Sequence, residues 1–132
     1  MTGKDEIFKE LSNLMLNRTA VQLMKEDIAG IEQDEKQKGL PAIQREALEK
    51  ERLKLSSCLV ATSNHISRIE RLLAQLTPEE QLVLDRMLIN PSPEAVFDLA
   101  EALCCETSSV YRIRARALDK LIRLRYGAGA ER

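Results

Sequence analysis

Tryptophan is absent from this chain, and two tyrosines and two phenylalanines bring the aromatic share to only 3%. Five glycines and four prolines are few for 132 residues. What remains is rich in Leu, Glu, Lys, Arg and Ala, a mixture that predicts a mostly helical and elongated protein. The length leaves room for one compact domain, or for a small domain with an extended element. No apolar run approaches the roughly 20 residues needed to cross a bilayer, so no membrane partner is expected. The opening "MTGKDEIFKEL" lacks the apolar centre of a secretory signal, which predicts a cytoplasmic protein.

Metal-binding and nucleophilic residues are equally scarce. His65 is the single histidine, and Cys58, Cys104 and Cys105 show no metal-like spacing. A metal cluster or a Cys/His catalytic pair has little to be built from. Reduced thiols of this kind are expected to behave as small buried apolar groups. No phosphate-binding glycine loop and no nucleophile beside a base can be assembled. Glu79–Glu80 and Asp34–Glu35 read as solvated helix faces and caps. The chain is therefore expected to be no enzyme, with no metal and no cofactor.

Helical periodicity is plentiful. From Lys4 to Lys36, Ile7, Leu11, Leu14, Val21, Met24, Ile28 and Ile31 recur at steps of three and four, apart from a phase slip near Val21. "KGLP", Lys38 to Pro41, places a helix stop beside a restart. Beyond it Leu55, Leu59, Thr62, Ile66, Ile69, Leu73 and Leu76 alternate steps of four and three. Leu48 extends the repeat backwards, although Arg52 occupies the intervening core slot. Two helices of about 35 residues, each roughly 50 Å long at 1.5 Å per residue, joined by a tight turn predict an antiparallel coiled-coil hairpin over residues 1–76. Its core would be thin, so a homodimer or higher homo-oligomer through residues 4–76 is expected.

A second architecture begins at "LTPEEQ". Thr77 suits a helix cap, Pro78 the first helical position, and Glu80 the third position of a capping box. Leu82, Val83, Met87 and Leu88 predict its apolar face. "NPSP", Asn90 to Pro93, closes this helix, and Ser92 is expected to cap the next, whose inner face is Val96, Leu99, Ala100 and Leu103. After "CCET" a third helix turns Val110, Ile113, Ala117, Leu118 and Leu121 inward. Helix, loop, helix, short turn, helix is the skeleton of a helix-turn-helix unit. The expected fold is all-α: a long N-terminal antiparallel helical hairpin, a small three-helix helix-turn-helix domain over 77–126, and a flexible tail over 127–132.

Charge is sharply segregated along this chain, although its formal net charge is only −1. Residues 1–76 hold 12 bases and 12 acids; residues 77–106 hold one base against seven acids; residues 107–126 hold six bases against one acid. Basic residues near a helix C-terminus complement its dipole, which accounts for Lys120, Arg123 and Arg125. It does not account for Arg112, early in the helix where positive charge is disfavoured. A polyanion lying along the helix accounts for it better, with arginines meeting phosphates and base edges. Thr107, Ser108 and Ser109 suit a close approach to a DNA backbone.

These residues resemble a known family. "LTPEEQLVLDRML" followed by "AVFDLAEALCCETSSVYRIRARALDKL" resembles domain 4 of bacterial sigma factors and, more closely, sigma-like phage transcriptional regulators of the RinA/ArpU type. The resemblance covers about residues 76–124, and those regulators also carry a charged, coiled-coil-prone region ahead of the motif. It implies a sequence-specific, double-stranded-DNA-binding transcription regulator in a bacterial host, phage or prophage encoded, with RNA polymerase as a further partner. The implied DNA-reading surface falls on Thr107, Ser108, Tyr111 and Arg112, with Ser109 and Arg116 near the backbone. Arg114 borders the buried stripe, where it either joins that surface or pairs with an acid of the preceding helix. The family has Gly where Cys104 stands, so the turn here either lacks a positive φ or is strained. It has Ser or Thr as the helix cap where Glu106 stands, which predicts that Thr107 takes over the cap. Two alternatives stand beside this reading: a small-terminase-like DNA-packaging protein, and a polymerase-binding adaptor that does not contact DNA.

Overall fold

A computed structural model describes residues 3–129, and within them the chain is all-helical, with no strand. The helices are α1 (Gly3–Ser12), α2 (Leu14–Glu35), α3 (Ala42–Leu73), α4 (Pro78–Leu84), α5 (Ala95–Ala102) and α6 (Thr107–Tyr126), with a π-helical turn at Asp85–Ile89. The chain divides into two compact units, one of residues 16–67 and one that joins residues 1–15 to residues 68–132.

That division departs from the expected boundary at residue 76. The stripe read as one helix from Lys4 to Lys36 is broken at Asn13, between α1 and α2. At the break the Ser12 hydroxyl donates to the Phe8 carbonyl at 2.9 Å, a back-bond that bends helices. Ile7 and Leu11 are fully buried and Leu14 is 1% exposed. They pack with the C-terminal helices, since α1 lies against α6 and against the π-helical turn. The first turns of the expected hairpin are therefore a wall of the C-terminal unit.

In the unit of residues 16–67 the turn carries Gly39 at φ 76°, a left-handed conformation that glycine adopts without steric cost. Arg52 Nε donates to Glu35 Oε1 at 2.8 Å, linking α3 to α2 across that turn. Val21, Met24 and Ile28 on α2, and Leu48, Leu55, Leu59, Thr62 and Ile66 on α3, are half-buried. Ile31, 7% exposed, is the only buried residue among those described in this unit.

The C-terminal unit has the deeper core. The capping box forms as the residues predict: Glu80 N–H donates to the Thr77 hydroxyl at 3.2 Å, and Thr77 N–H donates to the Glu80 carboxylate at 2.9 Å. The π-helical turn follows, closed by Asn90 N–H donating to the Asp85 carbonyl at 2.7 Å. Its extra residue shifts the helical phase. The buried pairs become Val83–Leu84 and Leu88–Ile89, while Leu82 and Met87 of the expected face are half-buried. The α5 N-cap is Glu94, without a side-chain bond; Ser92 contributes only its carbonyl, which accepts from Ala95 N–H at 3.2 Å. Val83, Leu99, Val110 and Ile113 form one cluster, with Val96, Ala100, Leu103 and Cys105 packed against it. Ala117, Leu118 and Leu121 are buried as expected, and Ile122 joins them. The tail expected over 127–132 lies partly outside the described residues: Gly127, Ala128 and Gly129 are exposed, and residues 130–132 are not described.

Candidate nucleic-acid interface

The turn from α5 to α6 sets where α6 begins. Cys105 N–H donates to the Ala100 carbonyl at 2.9 Å, and Cys104 N–H to the Glu101 carbonyl at 3.2 Å. These two bonds are the Schellman pattern that ends a helix, and it requires a left-handed residue at its centre. Cys104 takes that position with φ 53°. Of the two alternatives open at Cys104, the turn keeps the positive φ, in a residue with a Cβ. Cys105 faces inward onto the cluster that includes Leu99 and Val110, whereas Cys58 and Cys104 are exposed, against the burial expected of all three thiols.

The α6 N-cap is Glu106, extended at φ −82° and ψ 159°, with no side-chain cap bond. Thr107 is therefore the first helical residue, and the expected transfer of the cap to it does not occur. The Glu106 side chain instead accepts from the Ser108 hydroxyl at 3.5 Å. A carboxylate at this end also complements the exposed N–H groups of the first turn.

With Val110, Ile113, Ala117 and Leu121 inward, the 3.6-residue repeat of α6 puts Ser108, Arg112, Ala115 and Arg116 on its outer face. Ser108, Arg112, Ala115 and Arg116 are exposed, Thr107 and Ser109 are half-buried, and Tyr111 stands at the flank with 51% exposure. Arg112 Nη2 donates to the Ser109 hydroxyl at 3.5 Å, and among the described residues it makes no ion pair. Ala115 was not singled out from the sequence, yet its spacing from Ser108 and Arg112 was the available signal. A methyl at that position suits contact with a thymine methyl group.

Most of the remaining positive charge of α6 is engaged internally. Arg116 Nε and Lys120 Nζ both reach the Glu80 carboxylate, at 3.2 and 3.4 Å. Arg123 pairs with Asp119 one turn earlier at 3.2 Å. Arg125 pairs with Glu10, and the neighbouring Tyr126 hydroxyl donates to Glu6 at 2.7 Å. The two readings left open for Arg114 are both replaced. Its guanidinium lies over the Phe8 ring of α1, 5.8 Å from the centroid, half-buried and withdrawn from the outer face. Arg116 keeps a side chain 63% exposed despite its bond to Glu80. The cationic ridge that faces outward is thus Arg112 and Arg116, a narrower feature than the charge count implies.

Glu80 organises this arrangement. It is 2% exposed, and burial alone would raise its carboxyl. The Thr77 backbone N–H and the Arg116 guanidinium outweigh that effect, with Lys120 adding to them, and hold the group below the ordinary carboxylate value. One carboxylate therefore caps α4 and fixes the middle of α6.

Compared with protein-family models, curated proteins and solved structures, the chain has no match. Among the described residues no helix is long and apolar enough to cross a membrane. No group of three or more His, Cys, Asp or Glu among them is placed to hold a metal ion.

Proposed function

We propose that this protein is a sequence-specific double-stranded-DNA-binding transcription regulator, with α5, its turn and α6 acting as a sigma-like helix-turn-helix. One observation carries the reading: among the described residues Arg112 meets no carboxylate, on an outer face shared with Ser108, Ala115 and Arg116. An arginine near the positive end of a helix, without an acid to neutralise it, is explained by an anion that approaches from outside. Ser108 and Ser109 contact backbone phosphates in this reading, while Tyr111, Arg112 and Ala115 face the groove.

The unit of residues 16–67 supplies self-association. Leu16, Leu23, Ile43, Leu53 and Val60 are each more than half exposed, and Ile31 is its single buried residue among those described. A second copy covering these side chains gives the unit the core it lacks. Light scattering of the intact chain distinguishes a dimer, expected for a transcription regulator, from the large ring of a packaging protein.

The DNA reading is tested by fluorescence anisotropy on promoter fragments from the protein's own genomic neighbourhood, across about 50 to 200 mM salt. Affinity falls steeply with salt, and Arg112→Ala costs about 1–3 kcal/mol at the cognate site. Binding insensitive to salt, or unaltered by Arg112→Ala, defeats the proposal. A second reading, a polymerase-binding adaptor, is favoured by a separate surface: Phe97 is 70% exposed and is flanked by Asp98 and Glu101 of α5 and by its N-cap Glu94. Phe97→Ala removes partner binding in that reading, whereas Arg112→Ala does not.

A further inference from the structure

In the unit of residues 16–67, we infer that the end carrying the α2–α3 turn docks onto the same end of a second copy. The inference rests on the self-association proposed for that unit and names the surface that performs it. At this end an open groove of about 410 Å³ lies between the last turn of α2 and the first turns of α3. Leu40, Ala47 and Leu48 supply its apolar lining, and Asp34 and Glu51 bring carboxylates to its walls, with no base among the lining residues. Among the described residues neither carboxylate has an ion-pair partner.

Ile43 supplies the second observation. It is 82% exposed, more than any other large apolar residue among those described. It is the second residue of α3, where a β-branched side chain does nothing for the helix. A single exposed isoleucine is ordinary on a protein surface. This one adjoins Gln44 in the chain and precedes Ala47 by one turn, and both of those residues line the groove. Knob and hole therefore stand side by side, which is what a two-fold axis needs. An axis passing between them seats the Ile43 of each copy in the groove of the other. Charge agrees with the arrangement. Lys50 lies two turns beyond Ile43 on the same side of α3; it is exposed, and among the described residues it has no ion-pair partner. With the two α3 helices antiparallel, Lys50 of each copy passes over the other's turn, towards Asp34. An unrelated basic peptide accounts for the two carboxylates but leaves Ile43 bare. A second copy accounts for groove, knob and charges together.

Sedimentation equilibrium of the intact chain measures the association. Ile43→Asp puts an acid in the first turn of α3, where the helix dipole favours it, and circular dichroism checks that the helices are retained. It is expected to weaken association at least about tenfold, because two-fold symmetry enters the change twice. Lys50→Glu and Asp34→Lys each weaken association as well. Combined in one chain they restore it, a rescue that a defect in folding does not give. A parent chain that stays monomeric at every concentration overturns this inference together with the self-association beneath it. A dimer that survives Ile43→Asp, or paired charge changes without rescue, overturns the docking of these ends alone and leaves the rest of residues 16–67 as the interface.

Discussion

Cys104→Gly should stabilise the protein, and the size of the effect can be worked from the turn. At φ 53° a residue with a Cβ sits in a conformation that costs an L-amino acid roughly 1–2 kcal/mol. Glycine removes that cost but gives the unfolded chain more freedom, worth about 0.5–1 kcal/mol against it. The Cys104 side chain is exposed, so its deletion leaves no cavity. The two hydrogen bonds of the turn come from backbone atoms and survive the change. The net gain is about 0.5–1 kcal/mol, or a rise in thermal midpoint of about 2–5 °C. Urea titration followed by circular dichroism measures it, with an unaltered slope showing that the unfolded state is comparable. Cys104→Val provides the opposite control, because a β-branched side chain is disfavoured at positive φ; it should lose about 1 kcal/mol or more. A Cys104→Gly protein less stable than the parent would refute the left-handed turn and, with it, the placement of the first residues of α6.

Three further outcomes are expected. Glu80→Ala removes an α4 cap bond and the partner of Arg116 and Lys120, at about 2–3 kcal/mol once the exposure of both cations is discounted. Because the folded-state carboxyl lies below its ordinary value of 4.5, its contribution is complete above that pH and fades as pH falls through the folded-state value, a slope that acid titration of Glu80→Gln should lack. Tyr126 titrates above its ordinary value of 10.0 because its hydroxyl donates a hydrogen bond to the Glu6 carboxylate and burial adds to the shift; its contribution is complete below that pH and is lost as pH rises past the raised value, so Glu6→Gln should bring the absorbance transition back down. Leu11→Ala opens a cavity in the C-terminal unit and should cost about 2–5 kcal/mol by chemical denaturation; a change below about 0.5 kcal/mol would mean that α1 is not part of that core.

The sequence was most readable where one periodic signal met little competition. The inner face of α6, from Val110 to Leu121, and the Thr77–Glu80 capping box follow from spacing and side-chain chemistry alone. The π-helical turn did not, because an i to i−5 bond leaves no mark on composition; it became visible only as Leu84 and Ile89 in the core. The fate of α1 was hidden for a different reason. Ile7, Leu11 and Leu14 continue the spacing of Val21 and Met24, and periodicity cannot tell which neighbour a stripe will cover. The partners of Arg114 and Arg125 were concealed likewise, since Phe8 and Glu10 lie more than a hundred residues away in the chain.

That hidden contact alters how the charge of α6 should be understood. The −6 balance of residues 77–106, read from one base and seven acids, suggests acids gathered to neutralise the helix that follows. Yet Glu80 is the one acid of that stretch that is buried, and it takes both Arg116 and Lys120. The others that hold α6 come from elsewhere: Glu10 and Glu6 from α1, Asp119 from α6 itself. Glu94, Asp98 and Glu101 remain on the exposed side of α5 beside Phe97. Positive charge is thus neutralised towards the C-terminal end of α6 and left uncovered at Arg112. A helix meant only to be stable would show the reverse, since its dipole favours cations at the end where these are already paired. The imbalance left at the start of α6 is where an external anion gains most.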